Sequence, residues 1–304
     1  MTRRYARPVS ETVCAVVVTH NRLALLRECL SALQGQTRRP DRVLVVDNAS
    51  GDGTADAVRA EFPAAELISL PDNRGSSGGF HAGLEAAQAG EGEWFWLMDD
   101  DTIARSDALA ALLAAPAALA DLPPAPMLLA SRVVWRDGRL HPMNTPGFER
   151  SDVARLVESG ARGVVPLRVT TFVSLLVRRA AVERHGLPPR HFFIWSDDLE
   201  FTARILRHEV GYVVPDSVVE HRTKEAHTAV SSSGGRFYFH VRNTLFMLRG
   251  SAWNGVEKAT LLYLLIATTV AYLQAADGRR RALGVVARGL RDGLGPLPCC
   301  RARP

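Results

Sequence analysis

Asp99, Asp100 and Asp101 follow directly on an apolar run at residues 94–98, a pattern suited to metal chemistry. The run predicts a buried strand, so the acids emerge at its C-terminal end, where open α/β sheets bind ligands. Adjacent anions repel one another and are costly to desolvate. A divalent cation such as Mg²⁺ or Mn²⁺ prefers carboxylate oxygens and would in turn hold a diphosphate. The alternative interpretation is a solvated acidic turn before a helix expected near Ser106.

The elements that must position these acids are predicted by alternating apolar and helical patterns. Buried strands are expected at residues 13–19, 42–47, 66–70 and 94–98, with helical spacing of apolar residues between them. This alternation predicts a parallel sheet with right-handed crossovers. The second half is less regular, and we expect strands at 127–135, 169–177 and 212–214, a helix at 197–207, and loops or lids at 137–163.

Composition limits the class of protein. The 304 residues, 47% of them hydrophobic, suffice for one large α/β domain or two smaller ones. The net charge is +5, and no helix-turn-helix, zinc-finger or RNA-binding signature accompanies it, so we expect no nucleic-acid partner. Cys14 and Cys29 lie in apolar patterns, Cys299 and Cys300 lack metal-ligand spacing, and no signal-peptide region precedes the first strand. These features predict a protein of the reducing cytosol.

An uncharged segment at residues 259–276 is followed by Arg279, Arg280 and Arg281. Its length is at the lower limit for a membrane span, and it contains threonines and a glutamine. We therefore expect an interfacial helix with an arginine anchor, peripheral to the inner face of the cell membrane. A buried core helix or a contact in a homo-oligomer is the alternative.

Four further polar clusters accompany the acids, in a fixed order along the chain. Three of them follow predicted strands, so they are expected to meet the acids along one edge of the sheet. The clusters are Thr19-His20-Asn21-Arg22, Asp47-Asn48-Ala49-Ser50, Asn73-Arg74-Gly75-Ser76-Ser77-Gly78-Gly79, and Ser196-Asp197-Asp198-Leu199-Glu200 with His221 downstream. This order resembles glycosyltransferase family 2 over residues 13–221.

The resemblance implies the α/β GT-A fold, with a mostly parallel central sheet flanked by helices and a helical C-terminal region. It suggests a catalytic domain at residues 1–230, whose nucleotide-sugar half covers about 10–105 and whose acceptor half covers about 106–230. Residues 231–304 would form a helical, basic, membrane-associated region. The resemblance also implies inversion, in which an acceptor hydroxyl attacks the anomeric carbon opposite the leaving diphosphate.

By the same resemblance, the first clusters and the acidic triplet bind the nucleotide-diphosphate sugar. Asp47 would bind the nucleobase, although an Asx turn would also explain this residue. The glycine-rich turn would bring backbone amides and a helix N-terminus to the anion. The expected donor-binding residues are Thr19, Asn21, Asp47, Asn73, Gly75, Gly78, Gly79, Asp99 and Asp100.

The resemblance further assigns a metal site to Asp99, Asp101 and His221, which would hold Mn²⁺ or Mg²⁺. His227 is the alternative histidine. The bound cation would neutralise the charge that develops on the leaving nucleotide.

The acidic pair Asp197 and Asp198 would supply the general base. The broad family favours Asp198, whereas a Trp-Asp-Asp-like subset favours Asp197, and the choice stays open. Acceptor contacts are expected from Trp195, Glu200 and Arg242, and His240 and Asn243 lie in the same aromatic stretch as Arg242. Core packing would explain that stretch equally well.

The residues around the glycines and before the acidic pair resemble bacterial galactofuranosyltransferases that prime cell-wall galactan. Related rhamnosyltransferases are similar, so UDP-galactofuranose and dTDP-rhamnose both remain as donors. Either enzyme would use a lipid-linked glycan acceptor. A nucleotidyltransferase is disfavoured because residues 19–22 replace its glycine-rich loop. A non-catalytic glycan- or lipid-binding relative is the alternative of another class.

Overall fold

The computed structural model describes residues 11–226, 230 and 233–296, so His227, Cys299 and Cys300 lie outside the described residues. The first half alternates strands and helices as predicted. Its elements are β1 (Val13–Thr19), α1 (Leu23–Gln34), β2 (Arg42–Asp47), α2 (Thr54–Glu61), β3 (Glu66–Ser69), α3 (Gly75–Ala89) and β4 (Trp94–Asp99).

The second half contains short strands and the C-terminal helices. The strands are β5 (Thr102–Ala104), β6 (Leu128–Val134), β7 (Gly147–Phe148), β8 (Val165–Val169), β9 (Leu175–Arg178) and β10 (Gly211–His221). The helices are α4 (Ala108–Ala118), α5 (Val153–Gly160), α6 (Arg179–His185), α7 (Asp197–Leu206), α8 (Phe237–Arg249), α9 (Gly255–Ala275) and α10 (Arg279–Leu294).

One mixed sheet organises these strands in the order β3-β2-β1-β4-β9-β6-β10-β8-β7, with β5 paired to β10. The pairs among β3, β2, β1 and β4 are parallel, whereas β9 inserts antiparallel between β4 and β6. All seven residues of β1 are buried, as expected of a strand covered on both faces. Val17 belongs to the core on one face of the sheet, and Val16 belongs to the core on the other.

The predicted boundaries of three elements in the second half differ from the observed ones. The strand expected at residues 169–177 is two strands, because β8 ends at Val169 and β9 begins at Leu175. The loop expected at 137–163 contains α5, whose N-cap Asp152 accepts a hydrogen bond from the Arg155 amide at 2.9 Å. The strand expected at 212–214 extends to His221 as β10, because a shift in register between Val214 and Val218 lets the strand continue past Pro215.

The solvated-turn interpretation of the acidic triplet is also wrong. Asp100 and Asp101 are each only 4% exposed, and β5 lies between the triplet and α4. β5 pairs antiparallel with the end of β10, and this register sets Thr102 opposite His221. The Arg222 amide also donates to the carbonyl of Asp101 at 2.9 Å. This short pairing brings His221 to the acids.

Helices α8, α9 and α10 pack on one another, and α9 also contacts the sheet. Arg168 of β8 reaches across to Glu257 of α9, with its Nε 2.6 Å from Oε1. The outer surface of α9 is different, because only Leu265 and Tyr272 of this helix are buried. The alternative of a buried core helix is therefore wrong for this segment.

Candidate active site

Asp99, Asp101 and His221 form a cluster at the C-terminal edge of the sheet. Asp99 ends β4, Asp101 follows it in the turn before β5, and His221 ends β10. One ligand atom from each residue lies within 4.8 Å of the other two. Two carboxylates and an imidazole form a donor set that suits Mn²⁺ and also accepts Mg²⁺ through its oxygens.

The orientation of His221 is set by a side chain that the sequence analysis did not assign. Asn144 Oδ1 lies 2.7 Å from His221 Nδ1, and an amide oxygen can only accept, so Nδ1 carries the proton. The free lone pair of Nε2 then lies 3.2 Å from Asp101 Oδ1. That oxygen is buried and has no hydrogen-bond partner among the described residues. An unpaired carboxylate oxygen beside an imidazole lone pair fits a bound cation.

Burial dominates the electrostatics of the triplet. Burial, reinforced by the charge of Asp101, raises the pKa of Asp99 to about 7. Burial also raises the pKa of Asp100 to about 6, although the guanidinium of Arg22 opposes this shift. Burial acts in the same direction on Asp101, but the imidazolium form of His221, together with Arg22, would outweigh it and lower the pKa of that carboxyl. A bound cation would reduce the repulsion among these buried carboxylates.

Thr19 and Arg22 bind the carboxylate of Asp100. Thr19 Oγ1 donates to Asp100 Oδ2 at 2.8 Å, and Arg22 Nη1 lies 3.3 Å from Asp100 Oδ1. Arg22 Nη1 also donates to Asp101 Oδ2 at 2.7 Å. Thr19 thus positions the triplet, and its contact with a nucleoside stays a prediction. Arg22 belongs to the first motif, but no function was predicted for it.

Asp47 and Asn21 organise the turn after β2. Asp47 is buried, and its Oδ1 accepts from the Ser50 amide at 3.0 Å, which is the Asx turn considered above. Asn21 Oδ1 accepts from the Gly51 amide at 2.7 Å. The two turns of the first and second motifs are therefore joined. The nucleobase contact of Asp47 stays a prediction.

Gly75 and Asn73 join the third motif to the loop before the acidic pair. Asn73 Oδ1 accepts from the Gly75 amide at 2.8 Å and from Asn48 Nδ2 at 3.1 Å. Gly75 has φ +70°, and a Cβ at this position would lie 1.8 Å from the carbonyl oxygen of Phe193. Only glycine permits this conformation and this approach.

Gly78 and Gly79 are explained by packing inside and beneath α3. A Cβ on Gly79 would lie 2.5 Å from Cγ1 of Val18 on β1, and one on Gly78 would lie 2.4 Å from Cβ of Arg74. Gly79 therefore lets the helix approach the sheet closely, and Gly78 leaves room for the side chain of Arg74. Their predicted contact with the donor is a separate expectation that these distances leave untested.

The acidic pair begins α7, directly after a segment of residues 191–196 that we call the acid-pair loop. Phe193, Trp195 and Ser196 in this loop each have φ 67°, in the left-handed region. Such non-glycine residues cost about 1–3 kcal/mol each and persist only where the surroundings impose them. The loop is therefore a strained element that holds the acids in one place.

Asp197 and Asp198 differ in exposure. Asp197 is 3% exposed, and burial, followed by the charges of Asp198 and Asp99, raises its pKa well above the ordinary value. Asp198 is half-buried, and burial raises its pKa to about 6. The charge of Asp198 in turn raises the pKa of Asp99. The acidic pair is thus within electrostatic reach of the triplet.

The structure gives two of the predicted acceptor ligands other partners. Glu200 pairs with Arg204 four residues along α7, with Arg204 Nε 2.9 Å from Glu200 Oε1. Arg242 Nη2 donates to the carbonyl oxygen of Phe192 at 2.7 Å. Asn243 is fully buried, so it cannot touch an acceptor. The acceptor contact of Trp195 stays a prediction.

Comparison with known proteins is consistent with these motifs. A family model described as "Glycosyl transferase family 2" matches residues 14–123. Galactofuranosyltransferase GlfT1 of Mycolicibacterium smegmatis is 32% identical over 211 residues, which cover 65% of this chain and 66% of that enzyme.

Two solved structures share the architecture at low identity. S. aureus TarS in complex with UDP has a TM-score of 0.60 at 16% identity, covering 92% of this chain and 81% of that one. Mannosyltransferase PcManGT from Pyrobaculum calidifontis, in complex with GDP-Man and Mn²⁺, has a TM-score of 0.52 at 22% identity, covering 94% of this chain and 76% of that one. The likeness establishes the GT-A fold predicted above. The chain belongs to glycosyltransferase family 2.

Proposed function

We propose that this protein is an inverting, metal-dependent galactofuranosyltransferase. It transfers galactofuranose from UDP-galactofuranose to a lipid-linked glycan during synthesis of a cell-envelope polysaccharide. The observation that carries the proposal is the cluster of Asp99, Asp101 and His221, with an acidic pair in electrostatic reach of it. A nucleotide-sugar transferase needs both features, one for the diphosphate and one for the acceptor proton.

The donor half supplies the binding side of the reaction. Asp99, Asp101 and His221 would hold Mn²⁺ or Mg²⁺, which supplies positive charge to the leaving diphosphate. The proposed nucleoside contacts are Thr19, Asn21 and Asp47 at the ends of β1 and β2. The N-terminus of α3 at Asn73, Gly75, Gly78 and Gly79 and the side chain of Asp100 complete the proposed donor pocket.

Asp198 is the proposed base. The acceptor oxygen forms a bond to the anomeric carbon while the bond from that carbon to the diphosphate oxygen breaks. The acceptor proton passes to Asp198, and UDP leaves as the second product. Asp198 is more exposed than Asp197, and a carboxylate with a pKa of about 6 is ionised at neutral pH. Asp197, whose pKa burial raises well above its ordinary value, is proposed to support the acceptor side together with Trp195.

The donor sugar is proposed from the relative that is 32% identical, a galactofuranosyltransferase. A panel of UDP-galactofuranose, UDP-galactopyranose and dTDP-rhamnose with a synthetic lipid-linked acceptor tests this choice, with products read by mass spectrometry. We expect transfer of galactofuranose only, and its loss in excess chelator. Transfer of rhamnose alone would replace the proposed donor, and equal turnover in chelator would overturn the metal role.

The proposed place of action is the cytoplasmic face of the membrane. Helix α9 has 21 residues and is long and apolar enough to cross a membrane by length and composition, and 11% of its most apolar stretch is buried. Val256 and Tyr263 are 79% and 69% exposed. The arginines at 279–281 begin α10 immediately afterwards, and each basic residue near an anionic surface contributes about 1 kcal/mol to binding. We propose that α9 lies in the membrane interface.

Flotation with vesicles tests this location. The protein should float with vesicles that contain anionic lipid, and replacement of Arg279, Arg280 and Arg281 by glutamine should weaken binding roughly 100-fold. Binding that is equal on neutral vesicles and unaffected by the replacements would contradict an electrostatic anchor. A stable dimer in place of vesicle binding would instead identify α9 as a contact between copies.

A further inference from the structure

We propose that Asn243 and Arg242 of α8 are positioning residues that hold the acid-pair loop in its strained conformation. The inference rests on the proposed function, since it concerns the placement of the proposed base. Neither residue touches the reacting atoms in this account. They act through the backbone that leads into Asp197 and Asp198.

Asn243 makes the central contacts. Its side chain is fully buried, and Nδ2 lies 3.1, 2.9 and 2.9 Å from the carbonyl oxygens of Phe192, Ile194 and Trp195, so its two hydrogens are shared among three acceptors. These carbonyls belong to the part of the loop where Phe193 and Trp195 have positive φ. The amide therefore satisfies backbone groups that neither helix nor sheet pairs.

Arg242 fixes the orientation of that amide. Its Nε and Nη2 donate to Asn243 Oδ1 at 3.0 and 2.9 Å, so the Nδ2 end of Asn243 must face the loop. Nη2 also donates to the carbonyl oxygens of His191 and Phe192 at 3.1 and 2.7 Å. Two adjacent residues of one helix thus bind the carbonyl oxygens of residues 191, 192, 194 and 195.

The opposite side of the loop is held by the donor-side helix α3. The Ser77 amide donates to the carbonyl oxygen of Phe193 at 3.2 Å, and Ser77 Oγ donates to that of Pro189 at 2.6 Å. Gly75 lies against the same Phe193 carbonyl. The loop is therefore fixed between the N-terminus of α3 and the middle of α8. Helix α8 lies after the domain boundary expected at residue 230, yet it contributes to the geometry of the acids.

The test uses the full-length enzyme and two variants of adjacent buried positions on α8. Asn243→Leu keeps the volume and removes every donor to the loop. Thr244→Val is the control, because Thr244 is 3% exposed and makes no side-chain hydrogen bond among those described. Turnover with saturating substrates, the Michaelis constant for the donor, and hydrogen exchange of the peptide that contains residues 190–198 are measured for each.

We expect Asn243→Leu to lower kcat ~10- to 100-fold, because small displacements of a catalytic group have effects of this size. The Michaelis constant for the donor should stay within about twofold, and exchange in the loop should quicken. Thr244→Val should match the wild type in all three measurements. A merely structural role would lower the amount of folded enzyme and leave kcat per folded molecule unchanged.

Arg242→Gln provides a second variant should Asn243→Leu fail to fold, and it should lower kcat in the same direction with faster loop exchange. Wild-type kcat and wild-type loop exchange in either folded variant would overturn the proposal. If the wild type transfers no sugar from any donor, the proposed function fails. The exchange measurement then decides alone whether these residues hold the loop.

Discussion

On the proposed donor side of the site, polar side chains follow the ends of β1, β2 and β4, which are adjacent parallel strands. On the proposed acceptor side, the acidic pair follows a loop with three left-handed residues, and the amide that holds this loop is 48–51 positions away in sequence. The first arrangement is given by strand register alone. The second depends on side chains that must find backbone carbonyls across the fold.

The protein therefore positions its acidic side chains in two ways, at the ends of parallel strands and after a loop that is held by hydrogen bonds. Parallel strands bring their carboxyl ends together wherever the hydrophobic pattern is satisfied, so the backbone positions of Asp47 and Asp99 depend on strand register rather than on single polar contacts. The left-handed backbone conformation of the acid-pair loop costs free energy, and specific hydrogen bonds must offset that cost. We therefore expect substitutions of the strand-end acids to act through lost ligands, and substitutions around the acid-pair loop to act through lost geometry as well as lost chemistry.

The largest effect is expected at the metal cluster. Asp101→Asn removes a ligand charge beside His221 and should lower kcat/KM roughly 10⁴-fold, or about 5 kcal/mol. UDP release with Mn²⁺ measures this loss. Asp56→Asn on the surface of α2, where the side chain is 91% exposed, is the control and should behave like the wild type. Activity of Asp101→Asn within tenfold of the wild type would contradict the metal role.

The next effect separates the two acids of the pair. Asp198→Asn should lower kcat ~10³-fold and still bind UDP, because it removes only the proton acceptor. Asp197→Asn should lower kcat by ~10-fold or less, since asparagine has the shape of the protonated acid that burial favours at this position. Single-turnover rates and calorimetric UDP binding measure both. The reverse order of effects would identify Asp197 as the base.

A smaller effect is expected from the side chain that orients His221. Asn144→Leu removes the acceptor of the Nδ1 proton and should weaken Mn²⁺ binding ~10- to 100-fold. Titration followed by electron paramagnetic resonance measures the affinity without any substrate. Met143→Gln, at the neighbouring position with 44% exposure, is the matched control. Equal Mn²⁺ affinity in both variants would show that His221 binds the metal without the hydrogen bond to Asn144.

The smallest effect is the dependence on pH. Burial raises the pKa of Asp198 to about 6, and a base must be ionised, so its active form is lost as the pH falls through that value. We expect kcat/KM to be level above pH 7, to halve near pH 6 and to fall about tenfold per unit below it. Asp198→Asn should abolish this limb. A limb that persists in Asp198→Asn belongs to another group.

Sequence reasoning predicted the fold of residues 13–99 well because its signals are local. The apolar runs of β1, β2 and β4 and the polar residues after them give both the sheet and the edge where Asp99 and Asp101 lie. Patterns of this kind are independent of the rest of the chain.

The sequence did not predict β5, Asn144 or Asn243 in their observed roles. β5 has three residues and no distinctive pattern, yet its pairing with β10 sets His221 beside Asp101. Asn144 lies in a segment that was expected to be a loop. Its role in orienting His221 arises only from a contact with that residue, 77 positions away in sequence. Glu200 was assigned to the acceptor from its place beside the acidic pair, and Arg242 from its place in an aromatic stretch. Each has a partner inside the protein, and its contact with an acceptor stays a prediction.

The pairing of β5 with β10 has a consequence for how the chain tolerates changes in length. Neighbouring side chains of a strand point to opposite faces, so adding or deleting one residue between 218 and 221 would replace the imidazole beside Asp101 with Glu220 or Arg222. The irregular residues 215–217 lie outside the paired register and can absorb such a change. We expect insertions and deletions that preserve activity to fall at Pro215 and Asp216, because Ser217 is buried and bonds to Ser131 and Ala108.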